Sequence, residues 1–129
     1  MKFYISSRVK DKNEVQEIIK DLKDKGHEIT LDWTHFDSLR PYDEYENKSK
    51  KHSISFFKAI EKADVFILIS NEAGTGMYTE LGIALKQHLY SEKPSIYIIG
   101  DHLSRSIFFF HPSVNRVSNL EEVLDDLNI

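Results

Sequence analysis

A glycine-rich turn followed by a glutamate is the pattern in this sequence with the clearest chemical meaning. Gly74, Thr75 and Gly76 form a small-residue turn that comes after the apolar run Val65–Ile69 and before a helical pattern. A strand, a glycine turn and a helix follow one another in this order in phosphate-binding α/β units. Glu80 stands immediately before the apolar positions of the helix, so we expect it in the first helical turn, facing a crevice. Its carboxylate either takes part in chemistry or only compensates the helix dipole, which is worth about 0.3 to 1 kcal/mol.

Other motifs with a recognised chemical role are absent. Thr79 occupies the place of the last glycine of a dinucleotide-binding fingerprint, and the sequence contains no P-loop motif. The first predicted strand ends in Ser6 and Ser7 instead of the acidic pair that would hold magnesium in a phospho-receiver. The six histidines have no ligand spacing. We therefore predict no metal site and no cofactor, and the glycines also fit a plain tight turn that requires positive φ.

Alternating strands and helices position these residues. Apolar and β-branched runs predict strands at Lys2–Ser6, at the alternating Ile29, Leu31 and Trp33, and at Val65–Ile69, Pro94–Ile99 and Val114–Val117. Helical periodicity predicts helices around Val15–Leu22, from near His52, at Leu81–Leu89 and at Leu120–Leu127, with a long loop over Thr34–Lys51 and another over Gly100–Pro112. The pattern indicates one α/β domain over residues 1–129, a doubly wound sheet of about five mostly parallel strands. We expect flavodoxin-like or Rossmann-like order with helices on both faces.

Ligands bind such sheets beyond the carboxyl ends of the strands, so the predicted crevice gathers Ser6, Ser7, Trp33 and the glycine turn. The two serines, with Arg8, are candidates to receive a phosphate group. A stacking wall for a planar ligand is available from the aromatic side chains of Trp33, Phe36, Tyr42 and Tyr45. Loop aromatics also commonly anchor a loop to its domain, and that alternative stays open.

The composition of the chain excludes several classes of function. At 129 residues with a net charge of −4, the chain lacks the positive field of a nucleic-acid binder, and the lysines at 48, 50 and 51 are interpreted as a solvated helix face. The absence of cysteine excludes disulfides, Cys-ligated zinc and thiol catalysis. No apolar run approaches the length of a membrane span or signal-peptide core. We expect no polymer or membrane partner, and cytoplasmic residence.

The segment Gly74–Gly82, which contains Glu-Leu-Gly, resembles the nucleoside 2-deoxyribosyltransferase-like family, including its deoxynucleotide N-hydrolases. The likeness extends over nearly the whole chain, to Ala63-Asp64 before a buried strand, to Asp-Trp-Thr at 32–34 and to a late loop at Ser104–Pro112. It implies that the chain cleaves or exchanges the N-glycosidic bond of a nucleoside or nucleoside 5'-monophosphate. Glu80 would be the nucleophile that attacks the anomeric carbon, with Ser6, Ser7, Trp33 and the Gly74–Gly76 turn binding the substrate.

One departure from the family pattern bears on activity. The family usually has an acidic residue that assists the departing base at the position of Phe56. It also often has an acidic residue in the glycine turn, for which Glu72 is the available replacement in this sequence. A base that leaves without a proton donor is a poor leaving group. The alternative is therefore a non-catalytic nucleotide-binding or signalling module with the same crevice.

The resemblance also implies assembly into a homodimer or larger homo-oligomer, in which Ser106 completes a neighbouring subunit's pocket. The three aromatic residues that follow closely, Phe108–Phe110, cannot all face one core unless they form a strand buried on both sides. We expect at least one of them to be available for a subunit contact or a stacking platform.

Overall fold

The fold is built around a five-stranded parallel sheet. The computed structural model of the protein describes residues 1–129. The strands, in chain order, are β1 Lys2–Ser6, β2 Glu28–Ile29, β3 Val65–Ile69, β4 Ser95–Ile99 and β5 Val114–Val117. They lie in the order β2-β1-β3-β4-β5, and every neighbouring pair is parallel. This is the flavodoxin-like strand order, so the predicted fold class is confirmed.

Helices cover both faces of this sheet. They are α1 Lys12–Asp24, α2 Glu46–Lys62, α3 Gly76–Ser91 and α4 Leu120–Asp126. Tyr4 of β1 bonds to Glu80 of α3, whereas Tyr97 of β4 bonds to Asp126 of α4. Because Tyr4 is in register with Phe66 and Tyr97 with the next residue of β3, the two tyrosines point to opposite faces. None of the helices combines the length and apolarity required to cross a bilayer.

Burial explains why the central strands and α1 follow the sequence pattern. All five residues of β3 are buried, as expected for a parallel strand that is covered on both sides. The apolar positions of α1 that predicted it are also its buried positions, namely Val15, Ile18, Ile19 and Leu22.

The predicted start of α2 and the predicted end of β2 were wrong. Helix α2 begins at Glu46 rather than near His52. The sequence did not indicate this start because residues 46–51 are all polar; Glu46 pairs with Lys50 one turn later. Strand β2 ends at Ile29, and Trp33 lies in a 3-10 turn over Trp33–His35. The Asp32 side chain accepts the Thr34 N–H at 3.2 Å, which favours a turn over continued strand pairing.

The late loop contains a 3-10 turn over Ile107–Phe110, which the sequence did not indicate. Phe109 is buried and stacks on Tyr78, while Phe108 and Phe110 are more than half exposed. The prediction that at least one of the three phenylalanines is exposed is confirmed, and the alternative of a strand buried on both sides is wrong.

Asp64 lies at the amino edge of the sheet, where its carboxylate bonds to two other segments of the chain. Its carboxylate accepts hydrogen bonds from the Lys93 ammonium and the Lys2 backbone N–H, both at 2.8 Å. The Lys93 contact, followed by the Lys2 contact, lowers the pKa of Asp64 below its usual range. This residue therefore connects the starts of β1, β3 and β4, at the edge opposite to the predicted crevice.

Gly100, directly after β4, should be intolerant of a side chain. Its φ is +108°, and an added Cβ would lie 2.7 Å from the Ser70 hydroxyl oxygen. We expect Gly100→Ala to lower the free energy of unfolding by about 1 to 3 kcal/mol. The control is Gly82→Ala inside α3, where a Cβ meets nothing and helix propensity should add about 0.5 to 1 kcal/mol. Urea unfolding of both variants checks this, and equal stability of the two would contradict it.

Candidate active site

The predicted crevice residue Glu80 lies one turn into α3, rather than in its first turn. The helix begins at Gly76 because the buried Met77 is already one of its core-facing residues. The small residues before Met77 concealed this early start in the sequence. Because the helix dipole acts mainly within the first turn, compensation of the dipole is a weaker explanation of this glutamate than the sequence suggested.

The carboxylate of Glu80 is held by two hydroxyl groups of β1. The Tyr4 hydroxyl donates to Oε1, and the Ser6 hydroxyl donates to Oε2 at 2.6 Å. Tyr4 and Ser6 are two residues apart on one strand, so their side chains share a face of the sheet. No lysine or arginine forms an ion pair with Glu80. The site is therefore a carboxylate bonded by neutral donors at the carboxyl end of β1.

Burial dominates the electrostatics of this cluster. Loss of solvent raises the pKa of Glu80, and the hydrogen bonds from Ser6 and Tyr4 lower it only in part, so the net shift is upward. Burial, together with the nearby Glu80 charge, raises the pKa of Tyr4 well above its usual range. Tyr4 thus stays a neutral donor, while Glu80 is a carboxylate whose charge is poorly solvated. Such a group is typical of a functional site.

Tyr4 belongs to this cluster, although the sequence did not indicate it. An aromatic side chain inside a buried strand is most simply interpreted as core, and Tyr4 is indeed fully buried. The available signal was its spacing of two from Ser6, which placed both hydroxyls on one face.

The two glycines of the turn differ in their roles. Gly74 has a φ of +131°, and an added Cβ would lie 2.7 Å from Cε of Met77 and 3.2 Å from Cγ of Arg8. Gly76 has no such φ, and a Cβ there would meet open space. The tight-turn requirement therefore applies to Gly74, while Thr75 between them is exposed and makes no side-chain cap.

Arg8 lies beside this turn, half-buried. Its guanidinium donates to Oδ1 of Asn71 at 3.3 Å, and the Asn71 amide donates to Asp11 at 2.7 Å. Ser7 donates to the Arg8 carbonyl oxygen at 2.8 Å. A cationic group with several unused N–H donors is thus fixed near the ends of β1 and β3.

Three other predicted residues have local structural contacts. Trp33 is buried, and its indole N–H donates to the Ile5 carbonyl oxygen at 2.8 Å, which anchors the chain after β2. The Ser106 hydroxyl accepts the Phe108 N–H at 3.2 Å and so caps the 3-10 turn. Glu72 is exposed, and its carbonyl oxygen accepts from Arg105. A role in substrate binding for Trp33 or Ser106 stays a prediction.

Two surface grooves lie away from Glu80. One of about 650 Å³ runs between β5 and α4, and one of about 480 Å³ lies beside α1. The first contains Arg116 among three acidic side chains, and the second is lined mostly by polar residues of α1. No group of three or more histidine, aspartate or glutamate side chains is arranged to ligate a metal ion. We therefore locate the candidate site by the chemistry of Glu80 rather than by the volume of a cavity.

Comparison with known proteins gives a structural match along the whole chain. No protein-family profile matches the chain, and no curated protein matches it in sequence. Among solved structures, the CMP N-glycosidase BcmB of Clostridium botulinum is similar, with a TM-score of 0.62 and 18% sequence identity. The match covers 99% of this chain and 98% of that one. The two proteins therefore share a fold along their whole length.

Removal of the Glu80 charge should favour the folded state more at neutral pH than in acid. Because the pKa of Glu80 is raised by folding, the native state binds its proton more tightly, and its contribution to stability is lost as pH rises from about 4.3 through the folded pKa. Glu80→Gln does not titrate, so its stability relative to wild type should increase from pH 4 to pH 7 in urea unfolding. The exposed Glu72→Gln is the control and should change little. A relative loss for Glu80→Gln at pH 7 would contradict the raised pKa.

Proposed function

We propose that the chain cleaves or exchanges the N-glycosidic bond of a nucleoside or nucleoside 5'-monophosphate, with Glu80 as the nucleophile. The observation that carries the proposal is the Glu80 carboxylate, held by the Tyr4 and Ser6 hydroxyls with no cation beside it. A partly desolvated carboxylate of fixed orientation is suited to stabilise and trap an oxocarbenium-like sugar.

The hydrogen bonds leave Glu80 able to react. Each carboxylate oxygen accepts one hydroxyl and retains a lone pair, so attack on an anomeric carbon does not require either bond to break. Tyr4 and Ser6 orient the carboxylate. The poor solvation of its charge also disfavours the ground state relative to a cationic transition state. Water would then hydrolyse the glycosyl ester, or a second base would replace the first.

The shared fold supports a nucleotide as the substrate. BcmB is named as an N-glycosidase of CMP, and its fold matches this chain from end to end. Within this chain, the Arg8 side chain lies beside Gly74, and its guanidinium, bonded to Asn71, provides charged donors for a 5'-phosphate. We favour a nucleoside 5'-monophosphate over a nucleoside for this reason. The reaction as proposed uses no cofactor.

Phe56 favours a second candidate function. Its side chain packs against the core, so this position of α2 provides no carboxylate to a departing base. A non-catalytic nucleotide-binding module would have the same crevice and bind without turnover. Thermal stabilisation by a nucleotide from which no base is released would select this function.

Glu80→Gln should abolish base release while leaving the fold intact. The substitution retains the shape of the side chain and removes the nucleophilic oxygen charge, so we expect a loss of roughly a thousandfold or more in kcat. Released base is measured by chromatography across nucleosides and 5'-monophosphates, including CMP and dCMP, with and without an acceptor base. Glu17→Gln, at an exposed position of α1, is the matched control and should retain the wild-type rate. Wild-type turnover by Glu80→Gln would exclude Glu80 as the nucleophile.

We also propose that the protein assembles as a homodimer or larger oligomer through the late loop. Phe108 and Phe110 expose 59% and 55% of their surface, and Ile107 exposes 79%, which is an unusual amount of apolar surface in one short turn. Light scattering at micromolar concentration should therefore give at least twice the 15.1 kDa chain mass. Phe108→Ser should shift the protein toward monomer and lower base release if Ser106 completes a partner's pocket. A wild-type monomer with full activity would contradict this.

A further inference from the structure

The inner face of α2 carries a titratable side chain, His52, that has no role in the reaction as proposed above. We define this inner face by its half-buried or buried residues at helical spacing, Ser49, His52, Phe56 and Ile60. His52 is the titratable residue among them, since the lysines and glutamates of α2 are all exposed. An imidazole can give up and take back a proton near neutral pH, which neither a phenylalanine nor a serine can do.

His52 is held in place by aromatic contact. Its ring stacks on Phe36, with centroids 4.1 Å apart and 26° between the ring planes. Phe36 in turn contacts Phe56, with ring centroids 6.1 Å apart, and both phenylalanines pack against the core. The imidazole is therefore stacked on an apolar ring, and no carboxylate lies within ion-pair distance of it.

Ser49, one turn before His52, has a buried hydroxyl oxygen without any hydrogen-bond partner. The two other serines of this helix differ, because Ser53 and Ser55 donate to backbone carbonyl oxygens of the preceding turn at 2.7 and 3.1 Å. Buried polar groups are almost always satisfied, so the unpartnered hydroxyl requires an explanation, and a polar group of a bound ligand would supply one. It lies on the same face as the His52 ring.

This part of α2 lies toward the edge of the sheet that carries Glu80. The helix ends at Lys62, and Ala63 connects it to Asp64 at the amino edge, so its first half lies toward the carboxyl edge. Helix α2 packs on both α3 and β1, the two elements that supply Glu80 and its hydroxyl partners. The inner face therefore lies on the same side of the sheet as Glu80 and toward the same edge.

The chemistry requires a proton at this place. When the bond between the anomeric carbon and the base breaks, its electron pair goes to the base nitrogen, and protonation of the base assists its departure. The Tyr4 and Ser6 hydroxyls already donate to Glu80 and are not available. Phe56 has no proton to give.

We propose that His52 is the general acid that protonates the departing base, with the Ser49 hydroxyl as a hydrogen-bond partner of that base; this inference rests on the proposed glycosidic function. Glu80 forms the bond to the anomeric carbon while the imidazolium N–H proton passes to the base nitrogen. The neutral imidazole then takes a proton from the attacking water, the water oxygen bonds to the anomeric carbon, and the Glu80 carboxylate is released. The net reaction consumes one water and returns both side chains to their initial states.

The test is the dependence of base release on the leaving group. His52→Phe retains an aromatic ring to stack on Phe36 but has no proton to donate, and GMP is compared with its N7-methyl derivative, whose cationic base leaves without protonation. The pair UMP and 5-fluoro-UMP serves if pyrimidines are preferred. We expect His52→Phe to lose about a hundredfold or more in kcat/KM on the ordinary base and less than about tenfold on the activated one. His35→Phe, at an exposed histidine of the Trp33–His35 turn, should match wild type on both.

Each outcome separates the two proposals. Equal losses on both substrates, or rates within about threefold of wild type on both, would overturn the role of His52 and leave the glycosidic function standing. If wild type releases no base from any substrate, both proposals fail. His52→Gln, assayed in the same way, provides the comparison if the phenylalanine variant does not fold. Ser49→Ala should raise KM without lowering the thermal midpoint, and an unchanged KM would remove Ser49 from the site.

Discussion

The proposed chemistry depends on the hydrogen bonds that connect Glu80 of α3 to Tyr4 and Ser6 of β1. They place a carboxylate over the sheet with only two hydroxyl groups to replace its lost water, which is an energetically poor arrangement for the fold alone. It is tolerated because β1, β3 and β4 form a core in which nearly every side chain is buried. A carboxylate that costs stability and has fixed orientation is suited to chemistry on a developing cation.

The two edges of the sheet divide stability and chemistry between them. At the amino edge, Asp64 is paired with a lysine and a backbone N–H, and the pKa of Asp64 is lowered. At the carboxyl edge, Glu80 has no cation, and its pKa is raised. Two carboxylates in one small domain are therefore shifted in opposite directions by their surroundings. Opposite pKa shifts of this kind separate a carboxylate that connects strands from one with the properties that the proposed nucleophile requires.

The fold could be predicted from the sequence where buried residues form a clear apolar pattern, either a continuous run or a helical period. Strand β3 is a continuous apolar run, and α1 places its apolar residues on one face, so both were recognised. The first turns of α2 were not, because exposed helix carries no apolar period. Only part of the site could be predicted from the sequence. Glu80 was identified from its place after the glycine turn, but its bond to Tyr4 joins residues 76 positions apart. No local pattern encodes such a contact, and the same holds for the stacking of His52 on Phe36.

The central claim is that Glu80 forms a covalent bond with the sugar, and trapping of that bond tests it most directly. A 2'-fluoro-2'-deoxyarabinonucleoside 5'-monophosphate destabilises the cationic transition state of ester hydrolysis and so allows the intermediate to accumulate. Intact-mass analysis after incubation should show one added fluorosugar phosphate per chain, and peptide mapping should place it on Glu80. Base release with no adduct on the protein, or an adduct on a different side chain, would contradict the account.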